Sequence, residues 1–218
     1  KDSFDLGIGM IHQHFKLIEV LTAAENIILG LAGRMNLNMD EVIKDIQALV
    51  DKYGFEMDCR KKIYEMSVSE KQTVEIVKML YRGSEILILD EPTNGLDIPG
   101  KSQFRKFIAS GMSDDKTIVI STHQVRDIDK VLDHVLIMDD SRVLLDESTS
   151  NICDKLFFVE SDDRELAKSA LFAIPTIQGN YLILPNEKQD ESELNLELLF
   201  NATLATPEEI ARLFHTQK

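Results

Sequence analysis

The sequence predicts an α/β protein with a small α+β region at its C-terminal end. The clearest signal is a continuous apolar run, Ile86-Leu87-Ile88-Leu89, which is typical of a strand buried on both faces of a parallel sheet. A helical pattern follows it, then a second apolar run at 117–120, and this alternation of strand and helix indicates an α/β layer. Because 44% of the 218 residues are hydrophobic, the chain can bury a core rather than remain disordered.

Before the run at 86–89, periodicity and end signals predict a strand and three helices, at 8–11, 22–31, 40–53 and 69–82. Asp40 is the predicted N-cap of the second helix. Ser69 and Gln72 have the spacing of a capping box for the third helix, and Gly83 is the expected stop.

After that run, the pattern predicts a helix at 100–109, the strand at 117–120 and a helix that carries Val125, Ile128 and Leu132. A hairpin with strands at 135–138 and 143–145 follows. The weaker C-terminal pattern predicts a strand, a helix, a strand and a last helix capped by Thr206, at 156–159, 164–172, 181–184 and 207–214.

The composition excludes several classes of protein. The formal net charge is −14, from 24 basic and 38 acidic residues, and such a surface does not suit nucleic acid. No apolar run approaches the roughly 18–20 residues of a membrane span. Cys59 and Cys153 are isolated, so we expect a reduced, cytoplasmic protein. Since the chain begins with Lys1, we expect it to begin inside a longer sequence.

Asp90 and Glu91 follow the buried run directly, at the end of a strand where open α/β sheets bind ligands. One carboxylate can hold Mg²⁺ through water, and the other can deprotonate a water beside a phosphate. A solvated turn would explain an isolated acidic pair equally well. The longer string EPTNGLD, at 91–97, is far more specific.

Four segments, in this order, resemble the nucleotide-binding subunits of ABC transporters. ILILDEPTNGLD resembles the Walker B strand with its catalytic glutamate and D-loop, which ends at Asp97. The strand at 8–11 with Gln13 resembles the Q-loop, and IVISTHQ resembles the H-loop strand with its switch histidine, His123. VLIMDDSRVLLDE resembles the closing strands of that family.

This resemblance implies a P-loop ATPase core with ATP and Mg²⁺ as its ligands. It implies that Asp90 holds Mg²⁺ through water, that Glu91 polarises the attacking water, and that Gln13 contacts Mg²⁺ or that water. His123 would donate a hydrogen bond to the γ-phosphate. His12 and His14 form only a weak zinc pattern without a third ligand.

The signature motif of the family, LSGGQ, is replaced here by Met66-Ser67-Val68-Ser69-Glu70. The resemblance implies that this helix start faces the nucleotide held by a second subunit, with Ser67, Ser69, Glu70 and the D-loop Asp97 near it. Val68 and Ser69 replace glycines that permit close backbone approach, and Glu70 adds negative charge beside an anion. We therefore expect weaker closure over ATP. The valine, the glutamate and the stretch MIHQHFKLIEVLTAAENIILG resemble sugar and nucleoside importer ATPases.

The glycine-rich Walker A loop of the family has no counterpart before Gln13, so we expect that segment to be missing from this chain. A rival match to the same pattern is Gly95-Leu96-Asp97-Ile98-Pro99-Gly100-Lys101-Ser102. Pro99 lacks an amide where the loop must present N–H groups, and the same residues suit a D-loop and a helix start better. A P-loop NTPase using 95–102 remains an alternative.

The resemblance implies four segments: the Q-loop strand and lead-in, a helical subdomain with a degenerate signature, the ATPase core and a C-terminal accessory region, at 1–30, 31–82, 83–150 and 151–218. The complete protein would hydrolyse MgATP as a head-to-tail dimer and drive transmembrane transporter subunits from the cytoplasmic side of the membrane. For this chain alone we expect little ATPase activity and open apolar surface. A non-catalytic regulatory module on the same scaffold is the other alternative.

Overall fold

A computed structural model describes residues 2–31, 38–111 and 116–215 of the chain, which divide into two compact units, Lys1–Asp127 and Ile128–Lys218. The division assigns the predicted closing hairpin to the second unit. Within the described residues, no helix is both long enough and apolar enough to cross a membrane.

The first unit contains a parallel sheet of three strands in the order β1-β2-β3. These strands are β1 (Ile8–Ile11), β2 (Ile86–Asp90) and β3 (Thr117–Ser121). Ile11 lies opposite Leu89, and Asp90 lies opposite Ser121, so the carboxyl ends of all three strands lie at one edge. The predicted strands and their α/β arrangement are confirmed.

The two faces of this sheet differ in exposure. Leu87 and Leu89 are fully buried on one face. On the other face, Met10 and Val119 flank Ile88 in register and are 44% and 49% exposed. Apolar side chains are therefore exposed on this face.

Among its described residues, the first unit has the helices α1 (Asp2–Asp5), α2 (Ala23–Ile28), α3 (Met39–Lys52), α4 (Val68–Tyr81) and α5 (Ile98–Gly111). Helices α2, α3 and α4 pack together as a helical layer, and α4 also packs against β1. The apolar positions of α3 that recur at helical spacing, Val42, Ile46 and Val50, are buried. The part of the helical subdomain prediction at 32–37 lies outside the described residues.

Both predicted N-caps in this layer are wrong by two residues. Asn38 caps α3, because its side chain accepts a hydrogen bond from the amide of Asp40. Ser67 caps α4 with Glu70 as the third residue of a complete capping box, whereas Ser69 lies inside the helix. Each true cap precedes the predicted one and leaves an acidic residue in the first turn, where the helix dipole favours it.

The predicted helix through Val125, Ile128 and Leu132 is wrong. Two short 3₁₀ segments, Val125–Asp127 and Asp129–Val131, lie there instead. Only Ile128 of the three apolar residues is buried, so no apolar stripe stabilises an α-helix in this connection.

The described residues of the second unit form two antiparallel sheets. One is the predicted hairpin of β4 (His134–Asp139) and β5 (Arg142–Ser148), whose turn residues Asp140 and Ser141 both have positive φ. The other has the order β6-β8-β7, with β6 (Leu156–Ser161), β7 (Phe172–Thr176) and β8 (Gly179–Pro185). The helices are α6 (Thr149–Lys155), α7 (Arg164–Ser169), α8 (Leu196–Ala205) and α9 (Pro207–His215).

The core of the second unit centres on α8, which packs against β4, β5 and β8. The predicted helix at 164–172 is too long, because α7 ends at Ser169 and Phe172 begins β7. The amide of Leu171 already donates to the carbonyl of Ile183, so the chain leaves the helix to pair with β8. Helix α8 was not predicted from the sequence.

Candidate functional site

The carboxyl end of β2 carries two adjacent acidic side chains. One oxygen of Asp90, Oδ1, accepts a hydrogen bond of 2.7 Å from the hydroxyl of Ser121 at the end of β3. The amide of Glu91 donates to the carbonyl of Ser121 at 2.8 Å. The two acidic residues are therefore anchored to the neighbouring strand where both strands end.

The carboxylate of Glu91 lies against the segment that follows β3. Its Oε2 accepts from the hydroxyl of Thr122 at 3.0 Å, and its Oε1 accepts from the amide of His123 at 3.0 Å. The ring nitrogen Nδ1 of His123 lies 2.7 Å from the same Oε1. The structure therefore brings the predicted residues Asp90, Glu91 and His123 to one place.

The backbone of Glu91 has φ +48°, in the left-handed region that a residue with a side chain rarely adopts. Such a conformation costs about 1–3 kcal/mol and persists only where the surroundings fix it. Its amide is bound by Ser121, and its carbonyl accepts from the amide of Asn94 at 3.1 Å. This turn directs the carboxylate toward Thr122 and His123.

The pair of Glu91 and His123 can take part in proton transfer. The side chain of Glu91 is 18% exposed and that of His123 is 71% exposed, so the histidine is the member that a ligand reaches directly. With a proton on Nδ1, the imidazole donates to Glu91 and leaves Nε2 as an acceptor; a second proton makes Nε2 a donor.

Gln13 lies two residues beyond the end of β1 and is exposed. Since β1 is the neighbour of β2, Gln13 follows the same edge of the sheet as Asp90 and Glu91. Within the part of the chain that the structure describes, no hydrogen bond joins Gln13 to Glu91 or His123. The structure therefore does not connect Gln13 to the other members by direct contact.

The predicted signature residues lie at the start of α4. The Ser67 hydroxyl accepts from the amide of Glu70 at 3.2 Å, and Glu70 Oε2 accepts from the amide of Ser67 at 2.7 Å. Lys61 Nζ lies 2.6 Å from the other oxygen, Oε1. Burial raises the pKa of the Glu70 carboxyl, but the hydrogen bonds from Lys61 and Ser67 outweigh burial, and the pKa lies below its ordinary value of 4.5. The negative charge expected beside an anion is thus paired with Lys61.

Ser69 and Asp97, the two remaining predicted residues, contact each other. The Ser69 hydroxyl donates to Asp97 Oδ1 at 3.0 Å, and the amide of Gly100 donates to the same oxygen at 2.9 Å. Hydrogen bonds from Gly100 and Ser69 hold the pKa of Asp97 below its ordinary value of 3.8. Asp97 therefore satisfies an amide in the first turn of α5.

The rival phosphate-binding loop at 95–102 is not supported by this geometry. Helix α5 begins at Ile98, so the second half of the pattern is helical rather than a loop. The amide of Gly100 is already bound by Asp97, and Lys101 Nζ lies 3.4 Å from Gln124 Oε1. Since a phosphate cradle needs free amides ahead of the helix, the structure contradicts this alternative.

Ser121 and Thr122 were not predicted as site residues from the sequence. The sequence did contain a signal for them. Both hydroxyl residues lie between the apolar run at 117–120 and His123, and Ser121 stands opposite Asp90 at the end of the neighbouring strand. In the described ranges, no group of three His, Cys, Asp or Glu side chains is arranged to hold a metal.

The parallel sheet, the helical layer and the acidic strand end define the class of nucleotide-binding cassettes, and solved structures agree with this assignment. A subunit of the cbiONQ ABC transporter complex from Clostridium perfringens has a TM-score of 0.56 at 28% identity, over 67% of this chain and 59% of that one. A dimeric ATP-binding cassette in a post-hydrolysis state with ADP and phosphate has a TM-score of 0.54 at 26% identity, over 65% and 62%.

Residues 1–94 match the ABC transporter family. The matched residues are an ATP-binding domain of the ABC transporter type. It is 35% identical to a glucose import ATP-binding protein of Haloferax volcanii over 70% of this chain, and 38% identical to a nucleoside import ATP-binding protein of Lactococcus lactis over 62%. The chain spans 33% and 27% of the length of these two relatives.

Proposed function

We propose that the protein is the ATP-binding and ATP-hydrolysing subunit of an ABC importer for sugars or nucleosides. The observation that carries this proposal is the Glu91 carboxylate, held by Thr122 and His123 at the edge of the sheet beside Asp90. The names of the relatives from Haloferax volcanii and Lactococcus lactis support import and the two substrate classes.

Each member of the site has a proposed role. Glu91 accepts the proton of the attacking water. His123 with a proton on both ring nitrogens would donate through Nδ1 to Glu91 and through its exposed Nε2 to the γ-phosphate. Asp90 is proposed to hold Mg²⁺ through water. Its Oδ1 accepts a hydrogen bond from Ser121, and its other carboxylate oxygen can accept one from a water bound to the ion. Magnesium would neutralise charge on the phosphates. Gln13, which follows β1, is proposed to contact the same Mg²⁺ or the attacking water.

The start of α4 is proposed to face ATP held by a second ATPase subunit in a head-to-tail dimer. The Ser67 hydroxyl and the first amides of α4 supply donors there, and Ser69, Glu70 and Asp97 border the same nucleotide. The pairing of Glu70 with Lys61 lowers the repulsion that this carboxylate would exert on a phosphate. Transmembrane subunits would bind the dimer at the cytoplasmic side of the membrane.

Equilibrium titration with ATP and Mg²⁺ tests the nucleotide proposal. The titration is run on the full-length protein. We expect micromolar binding, because positioning of the β- and γ-phosphates dominates affinity and rate. Absence of binding would contradict the proposal and favour a non-catalytic regulatory module.

A further inference from the structure

We propose that Val68 and Ser69 join the start of α4 to the turns that follow Glu91 within one chain, and that Ser69 is a positioning residue for Glu91. This inference rests on the proposed function, since it gives Ser69 a part in ATP hydrolysis. We call the contacting set of residues the α4–α5 joint; its members are Val68, Ser69, Gly95, Asp97 and Gly100.

One carboxylate oxygen connects the two helices of the joint. Asp97 Oδ1 accepts from the hydroxyl of Ser69, in the first turn of α4, and from the amide of Gly100, in the first turn of α5. Hydrogen bonds to an ionised carboxylate are stronger than bonds between neutral groups. The two helix starts are therefore held together by a charge-assisted bridge.

The shape of the joint agrees with this bridge. A Cβ atom placed on Gly100 would lie 2.1 Å from Ser69 Oγ and 2.8 Å from Asp97 Oδ1, so the hydroxyl fills the space that the missing side chain leaves. Gly95 has φ +74°, and a Cβ atom there would lie 3.7 Å from Val68 Cγ1. Since glycine has neither a hydroxyl nor a methyl group, glycine at 68 or 69 could make neither contact.

The joint is connected to Glu91 by two consecutive turns. The amide of Asn94 donates to the carbonyl of Glu91 at 3.1 Å, and the amide of Leu96 donates to the carbonyl of Thr93 at 3.3 Å. Asp97 follows immediately and is fixed by the joint. The turns are thus held at one end by Ser69 and at the other by the β3 contact of Glu91.

The backbone of Glu91 depends on both ends of this segment, because its positive φ persists only while its surroundings fix it. Loss of the Ser69 hydroxyl releases Asp97 from α4 and leaves the turns held by α5 and β3 alone. The carboxylate of Glu91 then samples more positions around Thr122 and His123. A wider distribution lowers the rate of the chemical step more than it changes ATP binding.

The test uses the protein as encoded and the variants Ser69→Ala, Asp97→Ala and the double variant. We expect Ser69→Ala to lower kcat about fivefold with a smaller change in KM for ATP. A fivefold change in rate corresponds to the roughly 1 kcal/mol that one such hydrogen bond contributes. In the Asp97→Ala background, Ser69→Ala should change kcat no further. Ser169→Ala on α7 is the matched control, because its exposed side chain donates to the carbonyl of Leu166 within the same helix; it should leave kcat unchanged.

Amide hydrogen exchange of the first turn of α5 provides a second measurement that does not depend on catalysis. We expect Ser69→Ala to speed that exchange severalfold and Ser169→Ala to leave it unchanged. An unchanged kcat in Ser69→Ala, or an equal additional loss in the Asp97→Ala background, would overturn the positioning role. Absence of ATPase activity in the unsubstituted protein would overturn it together with the proposed function, and exchange would then show whether the joint itself exists.

Discussion

Replacement of Phe107 by alanine should destabilise the first unit strongly. The ring of Phe107 is 1% exposed, and its centroid lies 5.1 Å from that of Phe55, 5.9 Å from that of Tyr53 and 6.4 Å from that of Phe104. Tyr53 and Phe55 follow α3, so this aromatic cluster packs α5 against the helical layer. Removal of the ring loses its burial and leaves a cavity, which together cost about 3–5 kcal/mol.

Within this range we expect a loss of about 4 kcal/mol rather than the lower limit. The reason is that the ring also makes aromatic contacts, each of which contributes about 0.5–1.5 kcal/mol beyond the buried area. Urea unfolding, followed by far-UV circular dichroism, should then shift its midpoint by about 2 M at a slope of about 2 kcal/mol/M. The control is Phe200→Ala on α8, because that ring is 42% exposed and should cost less than about 1 kcal/mol. A loss below about 1 kcal/mol for Phe107→Ala would refute the packing argument.

Two further predictions concern acid stability and backbone strain. The pKa of Glu70 is lowered in the folded chain, so its ion pair with Lys61 stabilises the fold above the ordinary pKa of 4.5 and is lost as the pH falls below it. Glu70→Gln should lower the free energy of unfolding by about 0.5–1 kcal/mol at pH 7. Below pH 4.5, the free energy of unfolding of the variant should fall less steeply than that of the unsubstituted protein, as measured by urea unfolding across pH. An equally steep fall in both proteins would contradict this prediction. Gly179→Ala should cost at least about 2 kcal/mol, because a Cβ atom would lie 2.5 Å from the carbonyl oxygen of Ser161. The control Gly54→Ala shares a positive φ, +67°, but has open space around its Cβ, so thermal unfolding should show a smaller loss for it; equal losses would argue against the clash.

The sequence predicted the sheet of the first unit well, because its strands are continuous apolar runs of the kind that parallel sheets require. Because β2 and β3 are parallel neighbours, their carboxyl ends lie at one edge of the sheet. Asp90, Glu91 and His123 could therefore be predicted to lie together before any side-chain contact was known. What the sequence did not show is how Glu91 is held. Its positive φ and its bonds to Thr122 and the amide of His123 depend on tertiary packing rather than on local pattern.

Helix ends and the C-terminal unit were harder to predict. Ser67 and Ser69 are both followed three residues later by a capping partner, Glu70 or Gln72, and only the packing of α4 selects the first pair. In the second unit, β7 is short and exposed on one face, and its pairing with β8 decides its conformation. Such non-local pairing leaves little trace in the periodicity of a single strand.

The contacts of the α4–α5 joint could not be predicted from the sequence for a different reason. Val68 and Ser69 appeared in the sequence only as replacements of glycines, and from that we expected a loss of close approach to phosphate. The structure adds contacts that these side chains make within their own chain, to Gly95, Asp97 and Gly100. Their partners are about 30 residues away in sequence, so spacing could not predict them.

The rate of ATP hydrolysis by Glu91→Gln in the encoded protein, at saturating MgATP, tests the central claim most directly. Glutamine keeps the size of the side chain and an acceptor for His123 but cannot take a proton from water. We predict a fall in kcat of about 10²–10⁴-fold with ATP affinity retained, and an unchanged rate for the control Glu191→Gln in an exposed loop. Full turnover by Glu91→Gln would contradict the assignment of this carboxylate as the base that acts on water.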